Sequence, residues 1–301
     1  MIIGGALVAA GTPAPGTLGD DAQLRHARDL IAQAKYAEAK EELKALVQKD
    51  KEVRGEEDPK TLSDRLELAS VQGKMGDSIK AEAELRALLA IFTRRQGENH
   101  DQTLNCRTAL ARLLSDIGRP HEAIEEFRAI IESRERMLGP NDIEVARVTH
   151  MLGDAFAVAV QYAEAIEQFE KAETIFEANL GPENPETLLN RSNLALAKGE
   201  HHQYEVSQKE LQEILAIRER LLGPNHISVL MTCFQLARVL GGDGHYEEAL
   251  TYAERAENGF RKYVKSDGRA ADDAGKLSAL LRADIKQAQA AKKPVDLGIP
   301  Q

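Results

Sequence analysis

The sequence has few aromatic residues and few prolines, which argues against several fold classes. Phe, Tyr and Trp together make up 4% of the 301 residues, Trp is missing, and there are 10 prolines. Strands are enriched in aromatic and β-branched residues, so this scarcity argues against a β-sandwich or a β-barrel. The abundance of Ala, Leu, Glu, Lys and Arg instead favours an all-α chain.

Negative charges outnumber positive ones, and cysteine is scarce. The chain has 39 Lys and Arg against 49 Asp and Glu, a formal net charge of −10 at pH 7. An acidic chain is a poor candidate for general binding to nucleic acid or to an anionic membrane, although a local basic patch stays open. Cys106 and Cys233 have no second thiol near them in the sequence, which argues against a disulfide framework and a thiolate zinc site. We expect both to be buried thiols on apolar helix faces.

The first ten residues, Met1 to Ala10, are apolar and lead into a Gly/Pro/Thr linker. A bilayer span takes about 20 apolar residues, so this run predicts no stable membrane span. It resembles the apolar core of an export signal with a cleavage site after Ala10, but the positively charged start is missing. Three interpretations stay open: a truncated export signal, the end of a transmembrane helix in a longer parent, and a disordered leader. The missing basic residues favour the cytoplasm over export.

The rest of the sequence has a 42-residue period. Three series keep this spacing: Gly55, Gly97, Gly139, Gly181 and Gly223; then Ala27, Ala69, Ala111, Gly153, Ala195 and Ala237; then Ala39, Ala81, Ala123, Ala165, Ser207 and Ala249. We call the second series the first-helix anchors. Independent series with one common period indicate a tandem array of repeats.

Within each period, apolar residues recur at helical spacing twice, separated by a short break. In the stretch from Pro185 to Gly223 the break lies at residues 199–202. Pro185 suits the first turn of a helix, where no amide donor is needed. Gly223 suits the position after a helix, where a left-handed backbone favours glycine. Each period is therefore predicted to be a helical hairpin.

A single hairpin of this kind cannot bury both of its apolar faces. Neighbouring hairpins must cover it, so the array is predicted to be an α-α superhelix, or solenoid. Small anchors such as Ala195 let backbones approach closely, while Phe127, Phe169 and Leu194 fill the space between. A plain bundle or coiled coil would show heptads and would give no reason for a glycine every 42 residues.

These motifs resemble the tetratricopeptide repeat, in the 42-residue version found in kinesin light chains and many bacterial repeat proteins. The matching stretches are residues 180–188 (LGPENPETL), 193–195 (NLA), 215–226 (LAIRERLLGPNH) and 246–249 (YEEA). The basic unit of the family has about 34 residues. The extra length corresponds to about two helical turns, so the resemblance implies a second helix lengthened to Leu138, Leu180 and Leu222. It also implies a right-handed solenoid of six hairpins and a closing helix.

The resemblance covers about residues 20–265 and suggests this organisation: a leader at 1–19; six repeats at 20–54, 55–96, 97–138, 139–180, 181–222 and 223–265; a capping helix at 266–293; and a flexible tail at 294–301. Ala279 continues the anchor series into the capping helix. The turn glycine seen as Gly76, Gly118 and Gly244 is replaced by Val160 and His202. We expect those two turns to be distorted.

In this family the first helices line a concave groove that receives an extended peptide or a partner helix. Carried over by register, the groove positions lie six, three and two residues before each anchor and one residue after it. They are Asn105, Thr108, Ala109 and Arg112 in the third repeat; Arg147, His150, Met151 and Asp154 in the fourth; Leu189, Ser192, Asn193 and Leu196 in the fifth; and Met231, Phe234, Gln235 and Arg238 in the sixth.

The arginines among the groove positions suggest an acidic protein or peptide ligand, because an arginine fork binds carboxylates bidentately. They are Arg112, Arg147 and Arg238. The alternative is that Asp116, Asp154 or Glu200 neutralises them inside the chain.

The uncharged groove positions suggest backbone and apolar contacts with the same ligand. Asn105, Asn193 and Gln235 can each donate to and accept from a peptide backbone. Met231 and Phe234, with Leu189 and Leu196, would add an apolar pocket; alternatively Met231 and Phe234 simply pack between repeats.

Enzyme motifs are missing from the sequence. It contains no Gly-x-Ser-x-Gly, His-Glu-x-x-His or Cys-x-x-Cys, and we predict no cofactor and no metal. His201, His202 and His245 are interpreted as solvated turn residues, and His100 and His226 as structural. The leading hypothesis is a non-catalytic scaffold for a protein partner. Two alternatives stay open: a regulatory segment of a larger bacterial signalling protein, and an enzyme with a site around His150 and Asp154.

Overall fold

The computed structural model of the protein describes residues 18–264 and 268–291. The predicted tail and all but the end of the predicted leader lie outside these residues. In the described part of the chain every regular element is an α-helix. None of these helices combines the length and the apolar character needed to cross a bilayer.

Thirteen helices follow one another along the described residues, and twelve of them form six hairpins. They are α1 Leu18–Ala32 with α2 Tyr36–Arg54, α3 Pro59–Lys74 with α4 Ser78–Gln96, α5 Asp101–Asp116 with α6 Pro120–Leu138, α7 Ile143–Val158 with α8 Tyr162–Leu180, α9 Pro185–Glu200 with α10 Tyr204–Leu222, α11 Ile227–Gly242 with α12 Tyr246–Tyr263, and α13 Arg269–Ala291. The prediction of six hairpins and a closing helix is confirmed. The second helices end at Leu138, Leu180 and Leu222, as the resemblance implied.

The chain divides into an amino-terminal unit, residues 1–187, and a carboxy-terminal unit, residues 188–301. In the amino-terminal unit each of the helices α1 to α8 packs against the next, and α5 also packs beside α3 and α7. In the carboxy-terminal unit α10 to α13 pack in the same sequential way, with α11 also against α13. Within each unit the hairpins therefore stack side by side.

The first-helix anchors lie in the interior of both units, as expected of small residues where helices approach closely. All six are buried, and so are the matching small residues of the second helices. Ala279, which continues the series into α13, is exposed. Helix α13 nevertheless keeps the 42-residue register. Leu281 is buried against Gly241, and Val239, 42 residues earlier, is buried in the same way against Gly199. Ala279 stays exposed because an anchor is covered by the second helix of its own hairpin, and no such helix follows α13 among the described residues.

A side chain at one register position caps the start of five first helices. Each capping side chain accepts a hydrogen bond from the backbone N–H two residues later, at 2.7–3.2 Å. The capping residues are Asp58, His100, Asp142, Asn184 and His226. Such a cap satisfies a backbone donor that the helix itself cannot satisfy. The prediction that His100 and His226 have structural roles is confirmed.

The turn inside each hairpin keeps one geometry, so the expected distortion at Val160 and His202 is wrong. In the α5–α6 turn, Gly118 N–H donates to the Ser115 carbonyl (3.1 Å) and the next N–H donates to the Leu114 carbonyl (2.8 Å). Val160 and His202 make the same pair of bonds with φ of 62° and 63°. This is the Schellman motif, whose left-handed residue costs a non-glycine about 1–2 kcal/mol. Val160 and His202 therefore retain the turn under backbone strain.

The glycine between repeats has a different conformation from the one we predicted. Gly223 has φ 83° and ψ 161°, and the other four members of its series have similar angles. This is not the left-handed helical region but an extended region with positive φ that is essentially restricted to glycine. The difference explains why this glycine recurs in all five positions while the hairpin turn tolerates Val and His.

Candidate functional site

Arg147 of α7 is tightly held by two carboxylates of the amino-terminal unit. Its Nε lies 2.8 Å from Glu186 Oε2 and its Nη2 lies 2.9 Å from Glu186 Oε1, a bidentate pair, and its Nη1 bonds Glu144. The hydrogen bonds that Arg147 donates to Glu186, and the charge of Glu144, raise the pKa of Arg147. Carboxylates of the chain itself therefore neutralise Arg147, which was the alternative to ligand binding. Neither carboxylate is one of those named from the sequence.

Arg238 of α11 is neutralised in the carboxy-terminal unit. Its Nη2 bonds Glu200 at the end of α9, the partner that the alternative interpretation named. The two residues are 38 positions apart, so the pair joins neighbouring hairpins.

Arg112 of α5 makes no hydrogen bond or ion pair with any described residue. The register explains why. Arg28, the equivalent residue of the first hairpin, pairs with Glu67, 39 positions later, where Arg112 has Met151. Arg238 pairs 38 positions earlier, where Arg112 has Lys74. The two sequence positions that supply a carboxylate to the equivalent arginines, 39 residues later and 38 residues earlier, therefore carry no carboxylate in the case of Arg112.

Lys74, the last residue of α3, is a second cation at this place and was missed in the sequence. It is partly buried, and its Nζ lies 5.6 Å from the centre of the Tyr36 ring. Burial and the neighbouring charge of Arg112 lower the pKa of Lys74 to about 8, against the opposing effect of Asp116. The signal that could have revealed it is its register, since Lys74 precedes Arg112 by the same 38 positions that separate Glu200 from Arg238.

Asn105 lies on α5 two helical turns before Arg112 and is exposed. Its Oδ1 accepts a hydrogen bond from Arg134 Nη2 at 2.7 Å. Arg134 is only 5% exposed, and its Nε is buried without a hydrogen-bond partner. The buried Arg134 guanidinium orients the Asn105 amide through its oxygen, so the Asn105 Nδ2 is available as a hydrogen-bond donor.

His150 lies inside its own hairpin rather than on an open face. Its side chain is 12% exposed, and the ring packs 5.4 Å from the Phe169 ring and 6.4 Å from the Phe176 ring. Its Nε2 is 3.5 Å from Asp154 Oδ2. The pair on which the enzyme hypothesis depends is thus set in an aromatic packing environment, because two α8 phenylalanines cover the imidazole.

Asn193 and Gln235 are internal residues of the carboxy-terminal unit, only 6% and 7% exposed. Gln235 Nε2 lies 3.5 Å from Asn193 Oδ1, and Ser192 Oγ donates to Gln235 Oε1 at 2.5 Å. The amides predicted to bind a peptide backbone therefore bond side chains of the chain itself.

Arg218 lies beneath this network and is 5% exposed. Its Nη1 donates to Ser192 Oγ (3.3 Å) and Thr232 Oγ1 (2.7 Å), and its Nη2 donates to the Leu188 carbonyl (2.9 Å). These acceptors are neutral, and burial lowers the pKa of Arg218 to about 10. The network is fully buried, so we assign it to the packing of this unit.

Met231 and Phe234 are partly buried and pack against the core of the carboxy-terminal unit. This is the packing role that the alternative interpretation gave them. Leu196 is buried in the same core.

The remaining histidines and both cysteines have local structural surroundings. His202 Nδ1 lies 2.8 Å from the Tyr204 hydroxyl, and His245 Nδ1 lies 3.1 Å from Asp243 Oδ2. Within residues 18–264 and 268–291, no three His, Cys, Asp or Glu side chains are grouped so as to hold a metal ion. Cys106 and Cys233 are buried as predicted, and burial raises their pKa to about 12 and about 11.

Comparison with known proteins gives a family and a fold. The tetratricopeptide repeat model matches residues 65–136, 116–178, 144–218 and 188–262. No curated protein sequence matches the chain. A crystal structure from Podosopora anserina, described as kinesin light chain nearly identical TPR-like repeats, is 25% identical, with 68% of this chain and 97% of that chain covered and a TM-score of 0.57.

Two further solved structures share the fold at lower identity. BtubC (BKLC) from P. vanneervenii is 19% identical over 95% of this chain and 98% of that chain, with a TM-score of 0.55. A Rap protein complexed with competence and sporulation factor is 14% identical over 91% of this chain and 77% of that chain, with a TM-score of 0.58.

Proposed function

Because the chain belongs to the tetratricopeptide repeat family, we propose that it is a non-catalytic scaffold that binds an acidic peptide or partner helix on α3, α5 and α7 of its amino-terminal unit. The observation that carries this proposal is the state of Arg112. Arg147 and Arg238, two other arginines at groove positions, donate hydrogen bonds to carboxylates inside the chain, whereas Arg112 donates none to a described carboxylate and is near enough to the cation Lys74 to be repelled by it.

The charges around Arg112 favour an anionic side chain on the ligand. Lys74 and Arg112 repel one another, and Asp116 is the carboxylate that opposes them both. A ligand carboxylate at Arg112 would take the place that Glu67 has at Arg28. Charge-assisted bonds to a guanidinium fork are about twice as strong as neutral ones, so this contact would contribute both affinity and orientation.

Asn105 adds a spacing rule for the ligand. It lies seven residues before Arg112 on the same helix, which is about 10 Å along the axis. An extended peptide advances about 3.3 Å per residue. A ligand carbonyl bound by the Asn105 amide and a carboxylate bound by Arg112 would therefore be separated by about three residues.

The partner is best identified by affinity capture from the native host followed by mass spectrometry. The wild-type chain is compared with Arg112→Glu and with the matched control Arg136→Glu, an exposed arginine of α6. We expect a specific partner to be captured by the wild type and the control and lost with Arg112→Glu. Arg147→Glu is unsuitable as the test variant because it breaks the internal pair with Glu186.

Peptides of the captured partner then test the chemistry of binding. Replacing the acidic residues by Asn and Gln is expected to weaken binding to the wild type at least tenfold and to change little with Arg112→Glu. Equal affinity of the acidic and the amide peptides for the wild type would refute the proposed acidic ligand.

A further inference from the structure

Arg134 of α6 is a buried cation at a register position where phenylalanine is the commonest residue. The equivalent residues of the other five hairpins are all buried: Phe92, Phe176 and Phe260, with Asp50 and Arg218. Arg134 is buried to the same degree, and its Nε has no hydrogen-bond partner among the described residues. Burying a charged group costs free energy that a phenylalanine would not cost. Packing alone therefore does not explain an arginine at this position.

The shortest polar contact of the Arg134 guanidinium leads out of the interior. Its Nη2 donates to Asn105 Oδ1 at 2.7 Å, and Asn105 is exposed on α5. The ion pair of Arg134 with Glu144 is longer, with 3.7 Å between Nη1 and Oε2, and Glu144 also bonds Arg147. The buried charge thus bonds most closely an amide of the proposed ligand site.

We propose that Arg134 is a positioning residue, which fixes the Asn105 amide so that the site binds a ligand carbonyl and rejects a ligand N–H. A guanidinium has donors only, so the amide turns its oxygen towards Arg134 and its Nδ2 donors away from it. A side chain already held in one orientation loses little rotamer freedom on binding, which raises affinity. This inference rests on the proposed function, because it concerns the ligand bound at Asn105 and Arg112.

The fifth hairpin supplies a contrast at the same register. Arg218 is equivalent to Arg134, but Leu189 stands there in place of Asn105. Arg218 bonds Thr232 Oγ1 at 2.7 Å and two backbone carbonyls of its own unit. Of these two arginines, Arg134 is the one that holds an exposed amide, and Arg218 provides a matched control.

The part of the test without ligand is thermal unfolding of the full chain with Arg134→Met, whose side chain is long and uncharged. We expect the Tm to rise by about 2–4 °C, because a buried charge is removed. Arg134→Phe introduces the commonest residue of this register and is expected to act in the same direction. Arg218→Met should lower the Tm, since it leaves buried acceptors without a donor. A fall in Tm for both Arg134 variants as large as that of Arg218→Met would assign Arg134 to packing and overturn the proposal.

The binding part uses a peptide that the wild type selects from a phage-displayed library of short peptides with a fixed central glutamate. Its affinity is measured by fluorescence anisotropy. Arg134→Met is expected to weaken binding about tenfold although the variant is more stable, and Arg218→Met to leave binding unchanged. In an Asn105→Ala background Arg134→Met is expected to change the affinity less than about twofold, because Arg134 acts through that amide.

Asn105→Asp tests the preference for a carbonyl. The carboxylate keeps the bond with Arg134 but presents an acceptor to the ligand, so the variant is expected to bind the peptide no better than Asn105→Ala. Binding as tight as that of the wild type would overturn the proposed orientation of the amide.

The outcomes separate this inference from the proposed function. Binding that is lost with Arg112→Glu but kept with Arg134→Met would overturn the positioning role and leave the acidic-ligand site in place. An equal loss from Arg134→Met with and without Asn105 would also overturn it. A library that yields no peptide, or binding that is insensitive to Arg112→Glu, would refute the proposed function itself.

Discussion

Val160 occupies in the α7–α8 turn the backbone position that Gly118 occupies in the α5–α6 turn. Each N–H donates to the carbonyl three residues earlier at 3.1 Å, and φ is 62° at Val160 and 81° at Gly118. The array thus keeps the turn with a β-branched residue, for which positive φ is a genuine outlier. The tertiary packing of α7 on α8 supplies the stability that holds the strained residue.

Val160→Gly is expected to raise the free energy of unfolding by about 1 kcal/mol, because the left-handed backbone costs an L-residue about 1–2 kcal/mol and glycine returns part of this as chain entropy. The Val160 side chain is 68% exposed, so little packing is lost. Urea denaturation followed by circular dichroism measures the change. Gly118→Val is the reciprocal control and should destabilise; a less stable Val160→Gly variant would contradict the account.

Gly153→Ala is expected to destabilise the amino-terminal unit, although Ala stands at the other anchors and is the better helix former by about 1 kcal/mol. A Cβ at Gly153 would lie 2.7 Å from Phe169 Cε1, and that ring is buried and packed on His150. Overpacking of this kind costs about 1–3 kcal/mol.

The same measurement with Phe169→Leu added tests the cause. Leu85 and Leu211 stand at the register of Phe169 in hairpins whose anchor is Ala, and Phe127 does so beside Ala111. The clash therefore comes from where the Phe169 ring lies, and the double variant should recover much of the loss. A Gly153→Ala chain that unfolds at higher urea than the wild type would show that the Phe169 ring is free to move away.

The pair Asp50 and Asp64 predicts a pH dependence of stability. Both carboxyls are buried; Lys60 Nζ lies 2.8 Å from both Asp64 oxygens and 3.8 Å from Asp50 Oδ2, and Arg54 Nε lies 3.4 Å from Asp50 Oδ1. Burial, together with the neighbouring Asp50, raises the pKa of Asp64 from its ordinary value to about 7. The folded chain therefore binds this proton more tightly than the unfolded chain.

The sign of the effect follows from that difference in proton binding. Stability from protonated Asp64 is complete below about pH 4 and is lost as the pH rises to about 7, by an amount on the order of 2–4 kcal/mol. Asp64→Asn cannot ionise, so its stability should change less than that of the wild type between pH 5 and pH 8. Parallel profiles for the two chains over this range would show that Asp64 does not hold the proton.

His226→Asp is expected to stabilise the carboxy-terminal unit by about 0.5–1 kcal/mol. His226 Nδ1 caps α11 by accepting from Ser228 N–H at 3.2 Å. A carboxylate makes the same bond and also interacts favourably with the positive end of the helix dipole. Thermal unfolding measures the gain, with Asp142→Ala as the control that should lose about 1 kcal/mol. No gain, or a loss, would mean that the imidazole has a further role in this loop.

The hairpins could be predicted because their causes are local. Apolar residues at helical spacing define the two helices of a period, and residues such as Pro185 and Gly223 mark where a helix begins or ends. The left-handed conformation of Val160 could not be predicted from its residue type. Packing between α7 and α8 overrides the local preference there, since the turn must close wherever the two helices meet.

The candidate site was predicted only in part. The register placed Asn105, Arg112, Arg147, His150 and Arg238 at groove positions and left open whether the arginines are neutralised inside the chain. In the structure Arg147 and Arg238 bond carboxylates that lie 39 and 38 residues away in the sequence. Aromatic rings of α8 cover the imidazole of His150.

The amino-acid pattern alone therefore determined the repeat, its period and the helices within it, because propensity, helix ends and burial of small anchors act over a few residues. Only the tertiary structure decided which arginines donate hydrogen bonds to a carboxylate of a neighbouring hairpin. An arginine on one hairpin is neutralised or left open according to the side chain that the neighbouring hairpin brings beside it. At Arg112 that side chain is Lys74, and at Arg238 it is Glu200.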